Sequence, residues 1–227
     1  MLTGMPAAAQ VSAGQQADPL ERNCPSGPTL ISCRRQGEAA LFQQHPGLGH
    51  RCSNELILML TNGDSSIVRD TIAVNIGDYE SNYWLAGINE RAGYFVLAMY
   101  GYENRGALVV SRRSGWRKFI DFNLPVFDSS GSYAAAIIPL GTAYWQPAID
   151  VFRVGADSLT SEFHFPSPGT ADPFVRGDTL WGPTHVHWEA GQLLVDTEET
   201  VNRYDYWSGK PQVFAKLNGR WVLRPRK

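Results

Sequence analysis

Short apolar runs alternate with polar turns that end in glycine along this chain of 227 residues. Three such turns occupy residues 88–93, 127–131 and 188–191, and an apolar run follows each of them. A polar loop with a late glycine joins adjacent antiparallel strands, because glycine adopts positive φ at little cost. The pattern therefore predicts a series of antiparallel β-hairpins.

From residue 55 onward the apolar runs have strand length and group into units. The first unit is a hairpin around Asn62-Gly63, since Asn-Gly between apolar runs is a strong hairpin signal. Three larger units follow, over residues 83–122, 125–166 and 184–209. A last hairpin around Asn218-Gly219 ends the chain. These units predict an all-β fold of repeated antiparallel meanders.

Units of four strands with a glycine-bearing first turn resemble the blades of a β-propeller, and Phe127-Asp-Ser-Ser-Gly131 resembles the F-S-P-D-G turn of such blades. The resemblance covers about residues 55–224 and implies about four blade-like units. It also implies that the first and last Asn-Gly hairpins share one blade, which would close a ring and remove exposed sheet edges. A β-sandwich is the alternative architecture that the same strands permit.

Composition narrows the class of protein. Apolar residues make up 43% of the chain and charged residues 19%, as in folded globular proteins. The net charge of −2 gives no overall attraction to polyanions, so we expect no nucleic-acid partner. No apolar stretch approaches the ~20 residues that span a bilayer, so we expect no membrane span.

The N-terminal quarter differs from the β-rich remainder. Residues 1–22 are small, polar and aperiodic, and we expect a disordered tail or a signal-peptide remnant, because Pro6-Ala-Ala-Ala-Gln10 resembles the end of a bacterial secretory signal peptide. Residues 23–227 are expected to form a single β-rich domain, with meanders over 54–227. Within it, 23–53 is expected to be an irregular entry segment with one short helix at residues 38–44.

All three cysteines, Cys24, Cys33 and Cys52, lie in this entry segment. Their clustering suggests a disulfide that fastens an irregular segment, and either Cys24 with Cys33 or Cys33 with Cys52 could form it. A disulfide favours an oxidising compartment. Together with the signal-like residues, it predicts a periplasmic or secreted protein.

His185 and His187 are the residues whose spacing most suggests a chemical site. Residues two apart on a strand share a face, so the two imidazoles could form half of a site for one divalent transition metal. A third ligand would come from His164, Asp172 or Asp178. The simpler interpretation is that Val186 and Trp188 pack in the core, while both histidines lie on a polar face without a cofactor.

Aromatic residues near predicted loops suggest a different site. Tyr144, Trp145, Tyr206 and Trp207 could stack on sugar rings or anchor a protein partner. The sequence therefore suggests a non-catalytic, exported binding protein without a cofactor that recognises a protein or a carbohydrate ligand, with an inhibitor or immunity-type role. The alternative is a metal-dependent hydrolase centred on His185 and His187.

Overall fold

A computed structural model describes residues 24, 29–71, 81–101, 105–121, 123–139, 147–166, 180–200, 206–209 and 211–224. The described helix is α1 (Thr29–Gln44). The described strands, in chain order, are β1 (Gly49–Cys52), β2 (Glu55–Met59), β3 (Ser65–Arg69), β4 (Ser81–Asn89), β5 (Tyr94–Gly101), β6 (Arg105–Ser111), β7 (Arg117–Asp121), β8 (Val126–Phe127), β9 (Tyr133–Ile138), β10 (Ala148–Gly155), β11 (Ser158–Pro166), β12 (Leu180–Glu189), β13 (Gln192–Thr200), β14 (Tyr206–Ser208), β15 (Gln212–Leu217) and β16 (Arg220–Arg224).

The strands of the described residues form four antiparallel sheets, which we name A to D in chain order. Sheet A has the order β1-β2-β3, sheet B the order β4-β5-β6-β7, and sheet C the order β8-β9-β10-β11. Sheet D has the order β12-β13-β15-β16, and β14 also pairs with β13. Sheets A to C are simple meanders, because neighbours in the sheet are neighbours in the chain. The predicted all-β fold of repeated meanders is confirmed, and it is compatible with blade-like repeats.

The glycine-bearing turns have the predicted conformation. Gly93, Gly131 and Gly191 have φ values of +77°, +71° and +75°, which a residue with a side chain adopts only under strain. At Gly131 the space is also restricted, because an added Cβ would lie 3.0 Å from the backbone nitrogen of Ala92 in the neighbouring sheet. This glycine therefore fixes both a turn and the approach of sheets B and C.

The first and last Asn-Gly hairpins do not share a sheet, so the expected ring-closing blade is wrong. The first hairpin, β2–β3, pairs with β1, and the last hairpin, β15–β16, pairs with β13. The reason lies in the entry segment, which supplies β1 as a strand of its own and so completes sheet A without the C-terminal hairpin.

Consecutive sheets pack face to face, and each junction has its own apolar core. In β5, Phe95 and Leu97 face the core between sheets A and B, whereas Tyr94 and Val96 face the core between sheets B and C. In the same way, β9 and β10 contribute to the core between sheets B and C and to the core between sheets C and D. Burial on both faces explains why these strands are almost continuously apolar in sequence.

The helix α1 is longer than predicted. It begins at Thr29, well before residue 38, and the entry segment also contains β1 instead of remaining irregular. The extra turns mix good helix formers with Thr, Ile, Ser, Cys and Gly, so the sequence alone gives no clear helix signal there, and tertiary contacts supply most of the stability. A disulfide between Cys24 and Cys33 fastens the start of the helix, and the Arg34 guanidinium lies 4.2 Å from the centre of the Trp84 ring of β4.

A buried ion pair joins α1 to sheets A and B. The Glu38 carboxylate, with a side chain 2% exposed, accepts hydrogen bonds from Arg51 of β1 at 2.6 and 3.0 Å. The backbone N–H of Leu85 in β4 donates to the same carboxylate at 2.8 Å. Burial alone would lower the pKa of Arg51, but its hydrogen bonds and the charges of the nearby carboxylates together raise it.

A second buried carboxylate, Asp70, completes this ion cluster. It accepts hydrogen bonds from Arg51 at 3.0 Å and from Arg35 of α1 at 2.7 Å. Its other oxygen accepts the backbone N–H of Tyr83 at 2.8 Å. Burial and the nearby negative charge of Asp70 raise the pKa of Tyr83. We refer to Arg35, Glu38, Arg51 and Asp70 as the entry ion cluster.

Replacing Glu38 by Gln should destabilise the protein by about 3 kcal/mol, because the amide leaves the buried charge of Arg51 poorly compensated. The free energy of unfolding, measured by urea denaturation, tests this. The matched control is Glu90→Gln, at an exposed position in the β4–β5 turn, where we expect no measurable change. Equal effects at the two positions would contradict a structural role for the cluster.

Candidate functional site

The two ends of the sheets differ in the length of their connections. At one end, which we call the tight-turn end, short turns join strands at residues 60–64, 90–93, 112–116, 128–132, 156–157, 190–191 and 218–219. At the opposite end the strands are joined by the short β1–β2 turn, by the short segments 102–104 and 122–125, and by the longer segments 70–80, 139–147, 167–179 and 201–211, the last of which contains β14. We call this the long-connection end.

Hydrogen bonds between turns show that sheets A, B and C have the same orientation. The backbone N–H of Thr61 in the β2–β3 turn donates to the Arg112 carbonyl in the β6–β7 turn at 2.7 Å. The Arg91 guanidinium in the β4–β5 turn donates to the Ser129 carbonyl in the β8–β9 turn at 2.6 Å. The tight turns therefore bind one another across sheet boundaries.

Two further groups of contacts complete the tight-turn end. The hydroxyls of Ser114 and Ser111 donate to the Asp157 carboxylate at 2.6 and 2.7 Å and lower its pKa. Sheets C and D meet where the Trp188 indole N–H donates to the Val126 carbonyl at 2.8 Å. The polar groups of this end thus serve packing between sheets.

Two of the four aromatic candidates have a described backbone. Tyr144 and Trp145 lie outside the described residues, within the connection that leaves β9 at Ile138 and enters β10 at Ala148. Tyr206 and Trp207 open β14, whose backbone pairs with the last residues of β13. The strands that flank the two connections belong to the neighbouring sheets C and D, which share an apolar core.

The two candidate metal ligands share a face of β12. Val186 is buried and Trp188 packs in the core between sheets C and D, so His185 and His187 point away from sheet C, as the simpler interpretation predicts. His185 is exposed and stands opposite Asp196 of β13. Among the described residues, no group of three or more His, Cys, Asp or Glu side chains has the geometry to hold a metal ion.

The residues considered as a third ligand do not join this pair within the described chain. His164 lies on β11, where its Nδ1 is 2.8 Å from a carboxylate oxygen of Asp150. Asp150 pairs with Ala136, which faces sheet B, so this dyad points away from sheet D. Asp172 and Asp178 lie outside the described residues. The described residues therefore supply two candidate ligands, His185 and His187, and a metal site would need at least one more.

A groove of about 260 Å³ lies between α1 and β1. The residues lining it are Arg35, Glu38, Ala39, Phe42, His50 and Arg51. Three of these belong to the entry ion cluster, and their charged groups bind one another across the groove. The groove therefore belongs to the attachment of the helix, and its charges are already compensated.

A bulge in β11 creates a polar contact that the alternation of residues along the strand does not predict. Val151 pairs with Phe163 and Phe152 pairs with Ser161, so Glu162 has no partner across the strands. The extra residue turns Glu162 toward sheet D, on the side where the neighbouring Phe163 packs. Alternation instead places Glu162 on the side opposite Phe163.

Glu162 links sheets C and D through two hydrogen bonds and is also bound by Arg153 of its own sheet. Its carboxylate accepts from Lys216 at 2.7 Å, from the Trp221 indole N–H at 3.1 Å, and from Arg153. Burial alone would raise the pKa of Glu162, but the bonds from Lys216, Arg153 and Trp221 outweigh it and lower the pKa from 4.5 to about 2. This carboxylate therefore remains charged under mildly acidic conditions.

Comparison of the chain with models of protein families, with curated proteins and with solved structures finds no match. In the described part of the chain, no helix has the length and apolar character needed to cross a membrane. The all-β fold therefore rests on the strand order and the packing of successive sheets, which are compatible with blade-like repeats.

The low pKa of Glu162 predicts a pH dependence of stability. The contribution of this carboxylate is fully present above pH 4.5 and is lost as the pH falls from 4.5 toward 2. Glu162→Gln should remove about 2 kcal/mol of stability at neutral pH and flatten the loss between these pH values. Urea denaturation at a series of pH values measures both effects.

The matched control for this experiment is Glu55→Gln. Glu55 pairs with Arg69 on the outer face of sheet A, where the arginine side chain is 68% exposed. Surface pairs of this kind contribute little, so the control should behave like the unmodified protein. If Glu162→Gln lost as much stability between pH 4.5 and 2 as the unmodified protein, the assigned role of the carboxylate would be contradicted.

Proposed function

We propose that this protein is a non-catalytic binding protein of the periplasm or the extracellular space. It recognises a protein or a glycan through aromatic side chains at the long-connection end. An inhibitor or immunity-type role fits a protein that acts by binding alone. The scaffold for this role is all-β, with four sheets in the described residues.

The observation that carries the proposal is the separation of the two ends. The long connections and β14 contain nine aromatic residues: Tyr79, Tyr102, Phe122, Tyr144, Trp145, Phe174, Tyr204, Tyr206 and Trp207. In the tight turns the aromatic residue is Trp116, whose ring packs against Tyr94 with centroids 6.5 Å apart. Binding residues commonly lie on loops that a rigid scaffold positions. The long-connection end therefore has both the chain length and the aromatic content for recognition.

The charges of the long connections indicate the chemistry of the partner. Besides Asp70 of the entry ion cluster, six acidic residues lie in these segments: Asp78, Glu80, Glu103, Asp172, Asp178 and Asp205. Three basic residues lie in the same segments: Arg176, Arg203 and Lys210. An excess of acidic groups opposes polyanions and favours a neutral glycan or a protein surface that is neutral or basic.

The disulfide supports the proposed compartment. Cys24 and Cys33 are joined, with Cα atoms 5.6 Å apart, and Cys52 is a free, exposed thiol. Disulfides of this structural kind form and persist mainly in oxidising environments. The pairing agrees with one of the two pairings considered from the sequence and is consistent with export.

Trp145→Ala and Trp207→Ala, singly and together, test the proposed surface. The unmodified protein is immobilised, exposed to the envelope fraction of its source cells, and its retained partner identified. We expect each substitution to weaken the affinity for that partner about tenfold or more, because central aromatic residues dominate binding energy. Titration calorimetry or surface plasmon resonance provides the dissociation constants.

Phe119→Ala is the matched aromatic control for these variants. Phe119 is 39% exposed on the edge strand β7 of sheet B, outside the β9–β10 and β13–β15 connections that contain the tested tryptophans. It should leave the affinity unchanged. Equal retention of the partner by the double tryptophan variant and by the control would contradict the proposed binding end.

A metal-dependent hydrolase is the second candidate, favoured by the shared face of His185 and His187 and by Asp196 opposite His185. Two histidines bind a metal weakly without a third ligand. We therefore expect added Zn²⁺ or a chelator to leave the melting temperature unchanged. Stoichiometric metal by elemental analysis, lost in a His185→Ala, His187→Ala variant, would favour the hydrolase over the binding protein.

A further inference from the structure

Two Asn-Gly dipeptides occupy exposed hairpin turns, and their surroundings differ. Asn62-Gly63 lies between β2 and β3, and Asn218-Gly219 lies between β15 and β16. In such a dipeptide the backbone nitrogen of glycine can attack the side-chain carbonyl carbon of asparagine, because glycine has no side chain to obstruct the approach. The reaction requires a free glycine N–H and an asparagine side chain that can turn toward it.

Asn62 is held by its neighbours. Its amide nitrogen donates to the Asp64 carboxylate at 2.7 Å, and its side-chain oxygen accepts the backbone N–H of Asp64 at 3.0 Å. The attacking group is occupied as well, since the N–H of Gly63 donates to the Leu60 carbonyl at 3.1 Å. Reaction at Asn62 would have to break these three hydrogen bonds.

Asn218 has neither form of protection within the described part of the chain. No hydrogen bond engages its side chain or the N–H of Gly219 there. The approach is open, because a Cβ added to Gly219 would have no atom within 4 Å. The two residues form a tight turn with φ values of +49° and +80°. Ring closure sets ψ and χ1 of Asn218, so the turn must be free to change these torsions for the nitrogen to reach the side chain.

Opening the last turn disturbs few contacts. The pair that closes it is Leu217 with Arg220, both exposed. Turns with few buried contacts open at the lowest cost in free energy. The β2–β3 turn is anchored instead, because Thr61 in that turn binds the carbonyl of Arg112 in sheet B at 2.7 Å.

We propose that Asn218 is a site of spontaneous deamidation and that Asn62 is protected from it. The nitrogen of Gly219 loses its proton to hydroxide or buffer and bonds to Cγ of Asn218. The bond from Cγ to Nδ2 then breaks, while Nδ2 takes a proton from water or the buffer acid and leaves as ammonia. Water then opens the resulting five-membered imide at either carbonyl. The products are aspartate and isoaspartate at position 218.

The modification acts on the junction of sheets C and D. Isoaspartate adds a backbone atom to a two-residue loop, which can no longer keep Leu217 opposite Arg220. The next residue, Trp221, packs in the core between sheets C and D and donates to Glu162. Deamidation therefore loosens an edge strand that contributes to this junction.

Incubation of the full-length protein at mildly alkaline pH, followed by peptide mapping with mass spectrometry, tests the proposal. We expect conversion of Asn218 to be about tenfold faster than conversion of Asn62 and to give both acidic products. Fractions enriched in isoaspartate should melt at a lower temperature than the unmodified protein. Conversion of Asn62 at an equal or greater rate would overturn the proposal.

Two variants separate local protection from a general effect of folding. Asn218→Gly keeps a residue that tolerates positive φ and should remove the reaction at this turn without lowering the melting temperature. Asp64→Ala releases the Asn62 amide and should accelerate conversion at Asn62. An unchanged rate at Asn62 in Asp64→Ala would contradict the assigned protection.

Discussion

The charge of Arg51 constrains how the first part of the chain folds. A guanidinium that is largely removed from water must be compensated nearby, and Glu38 of α1 and Asp70 after β3 supply the two carboxylates. The same carboxylates accept backbone N–H groups of β4, which fixes the position of sheet B. Helix, sheet A and sheet B are thus held by one set of mutually dependent contacts, and none of them satisfies its polar groups without the others.

Beyond this cluster, the junctions between successive sheets differ in the kinds of contact that form them. Sheets A, B and C meet through apolar faces of their strands and through turns that bind one another. Sheets C and D add a charged contact, because the bulge in β11 brings Glu162 to Lys216 and Trp221. Each junction therefore has an apolar core for stability and specific polar contacts that fix the relative position of the sheets.

The sequence predicted the local elements well and the long-range pairings less well. Asn-Gly dipeptides and late glycines identify hairpins because turn chemistry is local, and alternation correctly placed Val186 and Trp188 inside. The partner of the last hairpin, the extra turns of α1 and the contacts of Glu162 depend on residues distant in the chain or on a bulge, which have no periodic signal. The aromatic candidates and the histidine pair remain predictions about function, because residue type alone does not define a binding geometry.

Strand number explains why the long connections gather at one end. A meander of four strands starts and finishes at the same end, so sheets B and C receive the chain and release it on one side. Sheet A has three strands and receives the chain at the opposite end, after α1. Every crossing from one sheet to the next consequently emerges at the long-connection end, together with the within-sheet connections β1–β2, β5–β6, β9–β10 and β13–β15, while the tight turns occupy the other end. Selection can vary the crossings without disturbing the bonded turns, and this freedom makes that end the natural position for recognition.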